Sequence, residues 1–328
     1  MNSDTHEGAT RVARHAMATR FEILLHGGKE AALRAAGEEA LDEVERLEAQ
    51  LSLYRPTSEI ARVNALAARQ AVRVSPPVFQ LLKQAQLLHE ETGGAFDITI
   101  GPLVRCWGFM GGTGHLPAPE QLAGARALVG MGHVRLDGDD FSVRFDRAGV
   151  MIDLGAIGKG HAIDCAARIL RECGMTSALL HGGTSTTYAI GRPPEAEAWQ
   201  VAVASGPESS ENGQKYGLTP TAPMAPLVVR LRDEALSVSA VWGRSFEAGG
   251  KTYGHVLDPR TGEPVNKAAL AAVALPSATE TDALSTALLV EGAAGAGRIE
   301  RLRPGMRVFL TGGEGGGGGN FGGGNLGN

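Results

Sequence analysis

The chain has 328 residues, 43% of them apolar and 20% charged, with a formal net charge of −5. That length supports a buried core in one large domain or two intimate halves. The mildly acidic balance, without a long basic block, argues against a nucleic-acid partner. Three scattered cysteines, Cys106, Cys165 and Cys173, suggest neither a disulfide framework nor a zinc site, and no apolar run is long enough for membrane insertion.

Residues 1–15 are polar and are expected to form a disordered leader. They carry no signal-peptide core and no cysteine for a lipid anchor, so the expected location is cytoplasmic, although a trimmed exported form would read the same. Residues 17–25 (MATRFEILL) predict a first strand. Over 30–53, Ala36, Leu41, Val44, Leu47 and Leu51 recur at helical spacing and predict a surface helix with one buried face. A second helix is predicted over 77–92, stopped by Gly93-Gly94.

Residues 133–153 read as a β-hairpin turning at 138–140. A helix is predicted over 160–173, and strands over 178–181, 199–204 and 227–232. The Gly-, Pro-, Ser- and Glu-rich stretch 206–226 reads as a surface loop. A last helix covers 279–292 and a closing strand 305–311. Residues 312–328 are Gly-rich and low in complexity, which predicts a flexible tail. Interspersed strands and helices over 16–311 point to an α+β or mixed α/β fold.

Four clusters carry candidate chemistry. In the first, Gly93-Gly94-Ala95-Phe96-Asp97 precedes Gly101-Pro102 and Trp107-Gly108-Phe109. Asp97 sits between apolar neighbours, where an idle carboxylate is costly; a helix cap with a buried Trp anchor explains the same residues. In the second, Asp153-Leu154-Gly155-Ala156-Ile157-Gly158-Lys159-Gly160 leads into a helix. A helix N-terminus and a lysine suit phosphate, yet the spacing matches neither a P-loop nor a dinucleotide fingerprint, and a packed glycine turn fits equally well.

The third, Tyr253-Gly254-His255-Val256-Leu257-Asp258-Pro259-Arg260-Thr261-Gly262, contains turn chemistry but also crowds His, Asp and Arg together. His255 can exchange a proton near neutral pH, Asp258 can orient the loop, and the charge of Arg260 suits a diphosphate. In the fourth, Asp282 and Thr286 share one helix face and offer hard oxygen ligands of the kind Mg²⁺ prefers. An Asp that merely complements the helix dipole is the competing explanation.

Taken together, the segments MATRF, LSLYRPTSEIARVN, GGAFDITIGPLVRCWGF, DLGAIGKGHAID, YGHVLDPRTG and TDALSTALLVEG resemble the FAD:protein FMN transferase (ApbE-type) family from about Met17 to about Gly292. The resemblance implies a single α+β domain with an internal pseudo-repeat and a central FAD cleft. It also implies a Mg²⁺-dependent transfer of FMN from FAD to a Ser or Thr of an acceptor redox protein bearing a short flavinylation motif, leaving AMP.

By position, Met17 and Tyr54 match residues that touch the flavin nucleotide. Ala95, Phe96 and Asp97 match a flavin-contact segment, and Asp153 and Lys159 match further FAD contacts. Ala156 matches a residue giving oxygen to the metal, and Asp282 and Thr286 match the metal-binding pair, with Ser285 adjacent. His255 matches a histidine implicated in transfer, and Val256 a backbone contact to the nucleotide.

The chain departs from the family pattern at Thr184, after Gly182-Gly183, where Asp is common. It departs again at Val238-Ser239-Ala240 for Thr-Ser-Gly, and at Gly254 for Ser. An FAD pyrophosphatase releasing FMN and AMP would use the same site, and a non-catalytic flavin-binding protein is the third reading.

Overall fold

The computed structural model describes residues 8–203 and 227–312. The loop expected at 206–226 and, beyond Gly312, the tail expected at 312–328 lie outside the described residues, as do residues 1–7. The chain enters on a hairpin, β1 (Thr10–Ala16) and β2 (Thr19–Leu25), followed by α1 (Glu30–Leu51), α2 (Glu59–Leu66), β3 (Val72–Arg73), α3 (Pro76–Glu91), α4 (Gly101–Cys106) and α5 (Pro119–Arg126). A second hairpin, β4 (Val134–Asp137) and β5 (Ser142–Phe145), leads to α6 (Gly158–Glu172), β6 (Ala178–Gly182), β7 (Thr186–Ile190), β8 (Trp199–Val203) and β9 (Leu227–Leu231). The chain then forms β10 (Glu234–Ala240), β11 (Ser245–Ala248), β12 (Lys251–Gly254), β13 (Leu270–Leu275), α7 (Ala278–Glu291), α8 (Ala293–Glu300) and β14 (Arg307–Thr311).

Seven strands form the main sheet in the order β1-β2-β6-β7-β10-β13-β14, every neighbouring pair antiparallel. Its two faces serve two cores. Ala178, Leu180, Tyr188, Ile190, Ala271 and Val273 join the large core beneath the helices. Their alternates Leu179, Ala189, Leu236, Ala272 and Ala274 pack with Trp199, Val229 and Leu231 of the β8–β9 ribbon. Strands covered on both faces lose the apolar–polar alternation of a half-exposed sheet. All six residues of β13 are buried for this reason.

α1 forms as its periodicity predicts, burying Leu33, Ala36, Leu41, Val44, Leu47 and Leu51. α7 is buried almost all round, from Ala278 to Val290. An apolar helix of that kind belongs in the middle of a core rather than on a surface. It packs on β10 and β13 and against α6, which in turn packs against α1.

Several expectations need correction. Residues 10–15 are not a disordered leader: they form edge strand β1, in register with β2 from Thr10 opposite Leu25 to Ala16 opposite Thr19. The first predicted strand starts two residues late because Met17 and Ala18, both at positive φ, make the tight turn that a two-residue hairpin requires. The hairpin predicted to run to 153 stops at Phe145. Residues 150–154 belong to no strand, and α6 begins at Gly158.

Candidate active site

A cleft of about 960 Å³ opens beside the N-termini of α6 and α7, walled by β6, β7, β10 and the segments around Asp97 and His255. Of the residues singled out in the sequence, Tyr54, Ala95, Phe96, Asp97, Asp153, Ala156, Lys159, His255, Val256, Asp282 and Thr286 line it. Met17, Ser285, Asp258 and Arg260 do not.

The carboxylate wall depends on two helices. Asp282 is only 4% exposed, and its Oδ2 accepts the backbone N–H of Gly160 at 3.0 Å. Asp282 lies in the second turn of α7, so it does not complement its own helix dipole; it caps α6. Its Oδ1 has no hydrogen-bond partner among the described residues. Thr286, one turn on, donates to the Asp282 carbonyl at 3.3 Å and sits 3.1 Å from Ser239 Oγ. Ser285 is fully buried behind this surface, bonded to the Asp282 carbonyl and to Ser239. Its hydroxyl therefore supports the wall rather than facing the cleft. Among the described residues no three His, Cys, Asp or Glu side chains gather as a metal cage.

The phosphate-suited turn before α6 holds Asp153 and Lys159. Asp153 Oδ1 accepts Gly155 N–H at 2.8 Å, and Lys159 Nζ donates to the Gly155 carbonyl at 3.2 Å. Burial pushes the Asp153 carboxyl up, against the opposing pull of the Gly155 hydrogen bond and the Lys159 charge.

His255 follows β12 directly. The β11–β12 ribbon is held by an aromatic cluster in which Phe246 stacks on Tyr253 at 5.3 Å and Trp107 packs against both. Trp107 itself is pinned to the Gly262 carbonyl by its indole N–H at 2.8 Å. The expected Trp anchor is therefore real, and what it anchors is the histidine loop. His255 Nδ1 donates to the Arg244 carbonyl at 3.1 Å. A carbonyl can only accept, so Nδ1 carries the proton and Nε2 keeps its lone pair. Burial holds this imidazole below the ordinary histidine range, which leaves it neutral at neutral pH.

Asp97 does two jobs. Its Oδ1 caps the short turn Ile98–Ile100 through Thr99 N–H and Oγ1, at 2.7 and 2.6 Å. Its Oδ2 pairs with His89 Nδ1 at 3.1 Å. Burial works against charge on His89, but the Asp97 hydrogen bond and field outweigh it and raise the imidazole above its usual value. His89 looked partnerless in sequence because that partner arrives through the turn after α3.

Arg260 is not a cleft residue. Its guanidinium grips buried Asp258 through Nε and Nη2, both at 2.9 Å, and also binds Glu291. The sequence-based expectation of a phosphate contact fails because these carboxylates already occupy the fork. Asp258 does orient its loop: Oδ1 accepts Arg260 N–H at 3.0 Å, and its carbonyl accepts Gly262 N–H at 2.8 Å. The Val256 carbonyl accepts Val265 N–H at 2.9 Å, which fixes the backbone at this position.

Of the departures from the family pattern, Thr184 and Val238-Ser239-Ala240 line the cleft, whereas Gly254 does not. His181, Trp242 and Arg244, which the sequence reading left without a role, line it too. His181 sits 3.1 Å from Thr187 Oγ1, and burial holds it low. Arg244 could not have been found by side-chain chemistry, because its contribution to His255 is a backbone oxygen.

A cleft that brings a neutral imidazole together with a lysine and a carboxylate–hydroxyl pair carried by two helices is an enzyme's site. A profile of the ApbE family matches residues 17–310, and the chain belongs to that family. It is 30% identical over 303 residues to an FAD:protein FMN transferase of Klebsiella pneumoniae, covering 90% of this chain and 81% of that one. It is 30% identical over 267 residues to an FAD:protein FMN transferase of Salmonella typhimurium, covering 79% and 72%. Among solved structures, the ApbE protein of Thermotoga maritima matches with a TM-score of 0.80 at 26% identity, over 92% of this chain and 94% of that one. The apo form of the Pseudomonas stutzeri flavinyl transferase ApbE matches with a TM-score of 0.78 at 27% identity, over 94% and 92%. The chain is an enzyme of the transferase class.

Proposed function

We propose that this chain is an FAD:protein FMN transferase that attaches FMN to a Ser or Thr of an acceptor redox protein and releases AMP, with Mg²⁺ bound in the cleft. The observation that carries this reading is the meeting in one cleft of His255 with Asp282, Thr286, Ala156 and Lys159. The names borne by the relatives support it independently.

His255 is the general base. Its Nδ1–H is tethered to the Arg244 carbonyl, so Nε2 accepts the proton of the acceptor hydroxyl. The hydroxyl oxygen bonds to the FMN-side phosphorus, and the P–O bond to the AMP phosphate breaks, with AMP taking the electron pair. Lys159, in the first turn of α6, offsets negative charge on the diphosphate. Asp97, Phe96 and Tyr54 line the part of the cleft assigned to the flavin nucleotide.

The residues present fit a hard cation. Asp282 Oδ1, the Thr286 hydroxyl and the Ala156 carbonyl are all oxygen donors, and Mg²⁺ takes few protein ligands while keeping waters and substrate phosphates. When bound, the ion would neutralise charge on the diphosphate.

The test is incubation with FAD, Mg²⁺ and candidate acceptor proteins, followed by mass measurement of the acceptor. Addition of one FMN, abolished by EDTA, is the expected result. Free FMN and AMP with no acceptor adduct would favour the pyrophosphatase. FAD binding without any AMP would leave a flavin-binding protein.

A further inference from the structure

Asp164 lies outside the cleft, half-buried in the second turn of α6, and none of the chemistry above uses it. Both of its oxygens are nonetheless committed to the start of α7. Oδ1 accepts Ala278 N–H at 2.8 Å. Oδ2 accepts Thr279 N–H at 2.8 Å, Thr279 Oγ1–H at 2.6 Å and Ser277 Oγ–H at 3.0 Å. A helix of this length would ordinarily cap itself, and Ser277 does so through Glu280 N–H at 3.3 Å. Asp164 accepts four hydrogen bonds beyond that, more than helix capping requires.

The return link has the opposite sense. Asp282, one turn into α7, reaches back to Gly160 N–H, one turn before Asp164. Each helix therefore supplies the carboxylate that caps the other. The space between them leaves no slack: a Cβ on Gly160 would lie 2.1 Å from the Ala278 carbonyl oxygen. Clamped at Ala278 and Thr279, α7 cannot slide or rotate along α6. That fixes where Asp282 and Thr286 present their oxygens.

We propose that Asp164 is a positioning residue for the cation-binding wall, acting through the first turn of α7 and never touching the ion or FAD. The inference rests on the assignment of Asp282 and Thr286 as ligands. Outer residues that orient metal ligands typically change metal affinity by about 10–100-fold when replaced. Asp164→Asn keeps the shape but turns one acceptor into a donor facing donors.

The experiment measures Mn²⁺ binding to the full chain without FAD, by electron paramagnetic resonance and calorimetry, alongside thermal melting. Asp164→Asn should weaken Mn²⁺ by about 10-fold or more. Thr279→Val, which deletes only the 2.6 Å hydroxyl donor, should weaken it less and remains informative should Asp164→Asn fold poorly. Val143→Ala, buried in β5 of the separate three-stranded sheet β3-β5-β4, should lower the melting temperature and leave Mn²⁺ affinity unchanged. Unchanged affinity in both Asp164→Asn and Thr279→Val overturns the inference while the metal reading stands. An equal loss in Val143→Ala also overturns it, by reducing the effect to general destabilisation. Wild-type protein that binds no Mn²⁺, with or without FAD, sinks the metal reading itself.

Discussion

Gly160→Ala tests how closely the cleft depends on the contact between α6 and α7. The added methyl would stand 2.1 Å from the Ala278 oxygen, 2.7 Å from its carbon and 2.8 Å from Asp282 Cβ. Two of these are backbone atoms, so no side chain can swing aside. Reaching ordinary contact requires the helices to part by roughly 1 Å. Such overpacking costs about 1–3 kcal/mol. The same movement stretches the charged Gly160–Asp282 hydrogen bond, worth about 1.5–3 kcal/mol. Alanine's better helix propensity offsets about 1 kcal/mol.

The net destabilisation is about 3 kcal/mol, a fall of about 5 °C in melting temperature for a domain of this size. Because Asp282 moves with α7, FMN transfer should drop by about 100-fold, the effect of an ångström-scale misplacement of a catalytic group. Gly158→Ala is the matched control: its Cβ would meet only Leu154 Cβ, at 3.8 Å, so it should melt at or above the wild-type temperature. Calorimetry and the mass-based transfer assay on both variants decide the matter. If the two alanines behave alike, close helix contact is not what shapes the site.

Three further outcomes are expected. His255→Gln should lower kcat for transfer by about 10²–10⁴-fold while FAD still binds by fluorescence titration. In the wild type the acid limb of the kcat profile should fall below the usual histidine range, since burial depresses this imidazole and only its neutral form is a base. Arg260→Ala should cost about 2 kcal/mol by stripping buried Asp258 of its bidentate partner, with KM for FAD unchanged; a large rise in KM would return Arg260 to the phosphate site. Finally, burial depresses His161, His181 and His255. As pH falls through the ordinary histidine range the unfolded chain therefore binds more protons than the folded one, and stability should decrease on acidification. His89 acts in the opposite sense, its contribution present at low pH and lost as pH rises through its raised value. A melting temperature that climbs on acidification across that window would refute the balance of three against one.

Local patterns in the chain were enough for α1, α3, α6 and α7, because helical periodicity, glycine stops and capping residues act within a few positions. They also exposed the candidate site, since carboxylates, a lysine and a histidine beside glycine turns stand out from their neighbours. Strands β10 and β13 escaped notice because their signal is not local. Ala271, Ala272 and Ala274 have little strand propensity, and they pair only because β10 and β14 flank them and two cores cover their faces.

The division between Arg260 and Lys159 likewise could not be made along the chain. Both are cations in glycine-rich turns, and which one faces the cleft depends on carboxylates brought from elsewhere, Glu291 among them. The residue types and their spacing thus settled which chemistry was available. The packing of α6 on α7, and of the β11–β12 ribbon on Trp107, settled which groups meet, because hydrogen bonds and charge act over a few ångströms in space whatever their separation in sequence.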